Sequence, residues 1–190
     1  MIRSLRTARL RLIGGSALTL SALALATLAA CAGCAGPMMG DGPRASANLA
    51  PTTGSKVSGT VSFVQSADKV TVRGEIRGLK PNAEHGFHVH EKGDCSSGDG
   101  MSTGGHFNPT TRAHGNHGAG EHHTGDLPAV KANGEGVATI NFQSTTIRVG
   151  SGITDIVGKG LIVHRDPDDY TTQPTGNSGP RVACAVIVRN

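Results

Sequence analysis

Beyond residue 55 the chain is built of short runs in which apolar and polar residues alternate, separated by glycine-rich turns. Lys69-Val-Thr-Val-Arg-Gly-Glu-Ile-Arg77 alternates cleanly and residues 56–65 do so in part. A period of two places one set of side chains on each face of a β-strand. Ser66-Ala67-Asp68, between these runs, reads as a hairpin turn. Further strands are predicted at 86–90, at 136–142 after the turn at 132–135, at 160–164 and at 182–188. No stretch after the first 30 residues sustains a helical period over three turns. The pattern predicts an all-β fold, an antiparallel β-sandwich or flattened barrel. Two long connections interrupt it, at 91–131 and 165–181. Loops of that length carry function or are held by a cross-link or a metal.

The N-terminus follows a different pattern. Arg3, Arg6, Arg9 and Arg11 precede an apolar Ala/Leu-rich run, the layout of a secretory signal over residues 1–30. Its end, Leu28-Ala29-Ala30-Cys31, resembles the lipobox of bacterial lipoproteins. That resemblance implies a lipidated Cys31 as the only membrane attachment. Ordinary cleavage nearby and an uncleaved anchor are the alternatives. Residues 31–53 are rich in Gly, Ala and Pro and read as a flexible tether, leaving 54–190 as one domain.

Removing the leader changes the charge picture. It takes four arginines and no acid, leaving 14 of the 18 basic residues against 14 acidic ones. The basic balance belongs to the leader, so nucleic-acid binding is not expected. With no Trp, one Tyr and four Phe, the core must be mainly aliphatic.

Candidate chemistry is concentrated in the loops. All nine histidines lie between His85 and His164. In His88-Val-His90 two imidazoles on one strand project from the same face and form half of a metal site. Within the predicted domain the cysteines reduce to Cys95 and Cys184, an even pair in a chain with an export signal. A bridge between them would close a loop of about 90 residues, worth about 4–5 kcal/mol in the chain-entropy model. An inert buried thiol is the plainer reading of Cys95, and nothing assigns Cys34 a role.

Five motifs then occur in order: Gly86-Phe-His-Val-His-Glu-Lys-Gly-Asp-Cys95, Gly104-Gly-His-Phe-Asn-Pro109, His123-Thr-Gly-Asp-Leu127, Leu161-Ile-Val-His164 with Asp168-Asp169, and Gly176-Asn-Ser-Gly-Pro-Arg-Val-Ala-Cys184. Together they resemble the secreted bacterial branch of the copper–zinc superoxide dismutases, over essentially all of residues 54–190. The resemblance implies a Greek-key sandwich with long metal-binding loops, and one copper and one zinc per subunit. It implies copper at His88, His90, His106 and His164, and zinc at His106, His114, His123 and Asp126, with His106 bridging the two. It further implies that Asp168 links His88 to His114, that Cys95 and Cys184 form a disulfide, and that Arg181 attracts and orients the anionic substrate. The reaction implied is superoxide dismutation, in which copper is alternately reduced and reoxidised and His106 delivers a proton. The location implied is the periplasm or cell envelope. Family members include monomers and homodimers, so a second copy of the chain is an admissible partner.

Other residues carry plainer expectations. His85 is expected to make a structural hydrogen bond. His117 and His122 are expected to be solvated, with metal scavenging as a secondary role. Asp169 caps a turn, and Lys92 is a candidate to extend the positive field. The competing functions are a non-enzymatic copper- or zinc-buffering protein and a structural sandwich that binds zinc only for stability. A zinc hydrolase is disfavoured because four protein ligands leave no open position for water.

Overall fold

A computed structural model of the chain describes residues 42–190. The expected leader, Cys31, Cys34 and the first part of the tether lie outside the described residues. Among the described residues there is no α-helix, and one 3₁₀ turn at Met101–Thr103. The strands are β1 (Arg44–Pro51), β2 (Ser58–Ser66), β3 (Lys69–Arg77), β4 (Glu84–His85), β5 (Phe87–His90), β6 (Val130–Lys131), β7 (Ala138–Ser144), β8 (Gly160–His164), β9 (Arg181–Val186) and β10 (Val188–Arg189).

The main sheet is antiparallel and runs in the order β5-β8-β9-β1-β2-β3-β7, with β10 also on β1 and a separate β4-β6 pair. The segment β9-β1-β2-β3 is a Greek key: three consecutive strands, with a later one returning to lie beside the first. β1 joins the two halves of this curled sheet. Ala45 and Ser46 pair with β10, Arg44 to Leu49 with β2, and Ala50 and Pro51 with β9.

The alternation sets the faces. Val61, Phe63, Val70, Val72 and Ile76 are buried from β2 and β3, and their intervening neighbours are exposed or half-buried. The hairpin closes at Ser66 and Lys69, with Ala67 in the left-handed region at φ 50°. Gly74 allows a close approach within the sheet, since a Cβ there would stand 2.3 Å from the Thr60 carbonyl oxygen. The core is mainly aliphatic, with Phe63, Phe87 and Phe107 buried in it.

One expectation is corrected. The flexible tether assigned to 31–53 is, over residues 44–51, strand β1 at the centre of the sheet. Its inward residues Ala45, Ala47 and Leu49 are buried, but two of the three are alanines. So small an apolar face gives a weak periodic signal, and partner strands on both sides supply what propensity does not. The two-residue strands β4, β6 and β10 are likewise too short for a pattern to declare itself.

Candidate metal centre

Unlike β2 and β3, strands β5 and β8 are buried at every position, because the long loops cover their second face. The loop after β5 returns alongside it. Val89 N–H donates to the Gly125 carbonyl (2.9 Å), Phe107 N–H to the Val89 carbonyl (2.8 Å), and Gly125 N–H to the Phe107 carbonyl (2.8 Å). His106 and Asp126 flank these bonds and pair with His90 and His88. At the far side of β8 the register shifts between Val163 and His164, opposite Arg181. Such an irregularity re-aims a side chain. Here it occurs where the last histidine is needed.

Two groups result: His88, His90, His106 and His164, and then His106, His114, His123 and Asp126, each with its candidate ligand atoms within 4.8 Å of one another. All seven residues are buried. His106 belongs to both groups.

In the first group each ring has one nitrogen committed elsewhere. His90 Nδ1 bonds the Gly104 carbonyl (2.9 Å) and His164 Nδ1 the Gly179 carbonyl (3.1 Å). A carbonyl only accepts, so both Nδ1 atoms carry protons and both Nε2 atoms bear lone pairs when the rings are neutral. These Nε2 atoms face each other at 3.4 Å with no proton to share. His88 gives its Nε2 to Asp168 Oδ2 (2.6 Å), and its Nδ1 is buried without a partner, as is His106 Nε2. Four nitrogen lone pairs converging on one point call for an electrophile, and an all-imidazole set suits copper.

In the second group Asp126 Oδ1 lies 2.8 Å from His106 Nδ1 and 3.3 Å from His123 Nδ1, and its Oδ2 lies 3.1 Å from His114 Nδ1. The carboxylate also accepts from the backbone N–H groups of Gly115 (3.1 Å) and His123 (2.9 Å). Three imidazoles and a carboxylate are a zinc donor set. His114 Nδ1 and His123 Nδ1 are buried without hydrogen-bond partners, so the residues fit the ion.

Asp168 joins the groups through His88 and through His114 Nε2, which it meets at 2.9 Å with Oδ1. Gly176 covers this junction. A Cβ there would fall 1.9 Å from Asp168 Oδ1 and 2.4 Å from His114 Nε2, at a φ of 66°.

Arg181 stands half-buried at the start of β9. Its Nη1 donates to the Gly100 carbonyl and to Thr103 Oγ1 (2.9 Å), and its Nη2 to the Gly104 carbonyl (2.6 Å). The Gly104 oxygen therefore holds both Arg181 and His90. Cys95 and Cys184 are disulfide-bonded, with Cα atoms 6.0 Å apart, which ties the loop carrying Gly100 and Gly104 to β9.

The remaining histidines lie outside both groups. His85 bonds the His164 carbonyl through Nδ1 at 3.0 Å, the structural role expected of it. His117 and His122 are half-buried, and each bonds a backbone carbonyl. Asp169 caps its turn by accepting from the Thr171 and Thr172 N–H groups. Lys92 is exposed.

Sequence reasoning missed two supports. Gln173 clamps the backbone of His114 by accepting from its N–H (2.9 Å) and donating to its carbonyl (2.9 Å). Lys159 donates to the Glu91 carbonyl (3.1 Å) and lies 4.8 Å over the Phe107 ring. Neither belongs to a motif, and no spacing signal points to either.

Electrostatics separates the two groups in the metal-free protein. Burial, reinforced by neighbouring histidines and Arg181, holds His90 and His164 well below the usual imidazole value. Burial also lowers His106, to about 4, against the pull of Asp126. Burial acts to lower His114 too, but the neighbouring carboxylates of Asp126 and Asp168 reverse it and raise it to about 9. Burial opposes ionisation of Asp126 and Asp168, yet their histidine partners hold both carboxyls below the usual range.

A family model described as copper/zinc superoxide dismutase matches residues 57–187. The chain is 45% identical over 141 residues to the superoxide dismutase [Cu-Zn] of Yarrowia lipolytica, covering 70% of this chain and 90% of that protein. It is 42% identical over 137 residues to the superoxide dismutase [Cu-Zn] of Paramecium bursaria Chlorella virus 1, covering 69% of this chain and 72% of that protein. Among solved structures, the crystal structure of the clock protein EA4 is similar, with TM-score 0.70 and 41% identity over 76% of this chain and 93% of the other.

Proposed function

The chain belongs to the copper/zinc superoxide dismutase family and is an oxidoreductase that dismutates superoxide with copper and zinc; from that premise we propose which of its residues do the work. Copper is held by His88, His90, His106 and His164, and zinc by His106, His114, His123 and Asp126. The observation that carries this assignment is the sharing of His106, with Nδ1 turned to the carboxylate of one group and an unpartnered Nε2 turned to the other.

When bound, copper supplies a one-electron couple, so that one superoxide is oxidised to dioxygen and a second is reduced and takes up two protons to give hydrogen peroxide, while zinc acts as a fixed Lewis acid. The other roles fall to the protein. Arg181 draws the anion in, and its guanidinium is held by three acceptors so that its direction does not wander. His90 and His164 stay neutral, each fixed in one tautomer by a carbonyl. His106 takes a proton at Nε2 and passes it to the product. Asp168 orients one histidine of each group.

The disulfide agrees with an oxidising compartment. The leader and Leu28-Ala29-Ala30-Cys31 support a finer reading as a lipidated periplasmic or envelope protein of the secreted bacterial branch. Fatty-acid labelling that is lost in Cys31→Ser tests it, and equal labelling of the variant refutes it. Sedimentation of the metal-loaded protein distinguishes a monomer from a homodimer.

The assignment is tested by comparing dismutation by the copper- and zinc-loaded protein with a zinc-only sample and with His164→Ala. Copper-dependent activity that collapses in the variant is expected. Tight metal binding without dismutation would instead favour a metal-buffering protein.

A further inference from the structure

Two histidines of the zinc loop take no part in either group, yet they are arranged like ligands. His117 and His122 flank the loop tip at Gly118 and Gly120, where a Cβ would meet nothing within 4 Å. Their ring centroids are 5.4 Å apart with the planes at 58°. Pairs that share the zinc group span 5.2 Å (His106 and His114), 5.4 Å (His114 and His123) and 5.5 Å (His106 and His123), and the middle pair is inclined at 57°. The spacing of the outer pair therefore matches that of ring pairs within the zinc group, and its tilt matches that of His114 and His123.

The tautomers point the same way. His117 Nδ1 bonds the Asp126 carbonyl at 3.0 Å, and His122 Nδ1 bonds the His123 carbonyl at 2.7 Å. Carbonyls only accept, so both Nδ1 atoms are donors and both neutral rings carry their lone pair on Nε2. A ring whose other N–H is tied to a carbonyl is the usual arrangement of a metal-binding histidine, because that bond fixes orientation and raises basicity. Both rings are partly exposed, so an ion can enter and water can complete its coordination.

We propose that His117 and His122 form a third metal site, facing solvent, which takes Zn(II) or Cu(II) through the two Nε2 atoms. Both metals favour imidazole, and copper is the stronger binder by the general order of affinities. Each ring hangs from the carbonyl of a zinc-group residue. An ion bound here staples the base of the loop tip and restrains the segment that carries His123 and Asp126.

The test begins with the full chain loaded with copper and zinc, cleared of excess metal and titrated calorimetrically with Zn(II). One further equivalent is expected to bind. The double variant His117→Gln/His122→Gln keeps an amide donor for each carbonyl but removes the ring nitrogens, so that equivalent should disappear. Each single variant should weaken it by at least the roughly 10-fold that losing an outer partner costs a metal site. In the reduced, diamagnetic enzyme, Zn(II) should shift the ¹⁵N resonances of both Nε2 atoms while the Nδ1 protons stay in place. Absence of a further equivalent, equal binding by the double variant, or unmoved His117 and His122 signals would each overturn the site. The ring signals report on this pair alone, so the outcome does not depend on how the two main groups are assigned.

Discussion

Replacing Asp168 by alanine removes two acceptors at once, one from a histidine of each group. In the native protein its oxygens meet His88 Nε2 at 2.6 Å and His114 Nε2 at 2.9 Å, and Oδ1 also accepts the Tyr170 N–H at 2.8 Å. Each of these is a charge-assisted bond at a residue only 6% exposed, worth about 1.5–3 kcal/mol. Without the carboxylate, nothing requires the proton of His88 or His114 to stay on Nε2. A ring that shifts it to Nδ1 presents an N–H where a lone pair is needed. Loss of such a partner costs a metal site about 10–100-fold in affinity, or about 1.4–2.8 kcal/mol. The two sites should not suffer equally. His88 sits on β5, paired residue by residue with β8, whereas His114 lies in a loop without regular structure and depends on Asp168 and Gln173. Zinc should therefore be weakened towards the upper end of that range and copper towards the lower. Asp168→Asn, which keeps the shape and one acceptor, should fall between. Chelator competition with each metal measured separately is the assay. Native affinity for both ions in Asp168→Ala, or copper lost with zinc retained, would refute the reasoning.

Three other perturbations have worked outcomes. Arg181→Ser should lower kcat/KM at least tenfold with metal content unchanged and flatten the salt dependence of the rate; local positive fields raise on-rates about 10–1,000-fold, a range for which superoxide dismutases are themselves a type case. An unchanged salt dependence would remove Arg181 from substrate guidance. Cys184→Ser opens a cross-link of sequence separation 89 and should cost about 4–5 kcal/mol in urea unfolding. It should also lower activity, because the freed loop supplies the carbonyls that hold Arg181; full activity at the reduced stability would sever that connection. In the metal-free protein, His106 at about 4 is lowered from 6.5, so its neutral form contributes about 3 kcal/mol above pH 6.5 that is lost as pH falls towards 4. His114, raised to about 9, contributes below pH 6.5 and loses that as pH rises towards 9. Stability of the metal-free form should peak near pH 6.5 and fall more steeply on the acid side, where His90 and His164 act with His106. A flat profile between pH 4.5 and 6.5 would contradict this.

How much of the centre could be read from the chain depended on whether a local period carried it. His88 and His90 were legible from physics alone, because two residues apart on a strand means one face. His106, His114, His123 and Asp126 obey no period. They lie in a loop whose course is set by three backbone bonds to β5 and by the ring contacts themselves, so only their likeness to known motifs located them. β1 escaped because alanine at two of its three buried positions makes a face too small to register, although it occupies the centre of the sheet. The Gly104 oxygen and the Gln173 amide were beyond any pattern, one being main chain and the other a turn residue brought across 59 positions. These unreadable contacts have a common purpose. The loops cannot be ordered by strand pairing, so their order comes from bonds that also fix the histidines: Gly104 and Gly179 to the first group, Asp168 and Gln173 to His114, and the disulfide to the segment beneath Arg181. The same bonds that order the loops select the tautomers. Metal affinity and loop order are consequently coupled, and a change that loosens one of these loops should register first as a loss of metal.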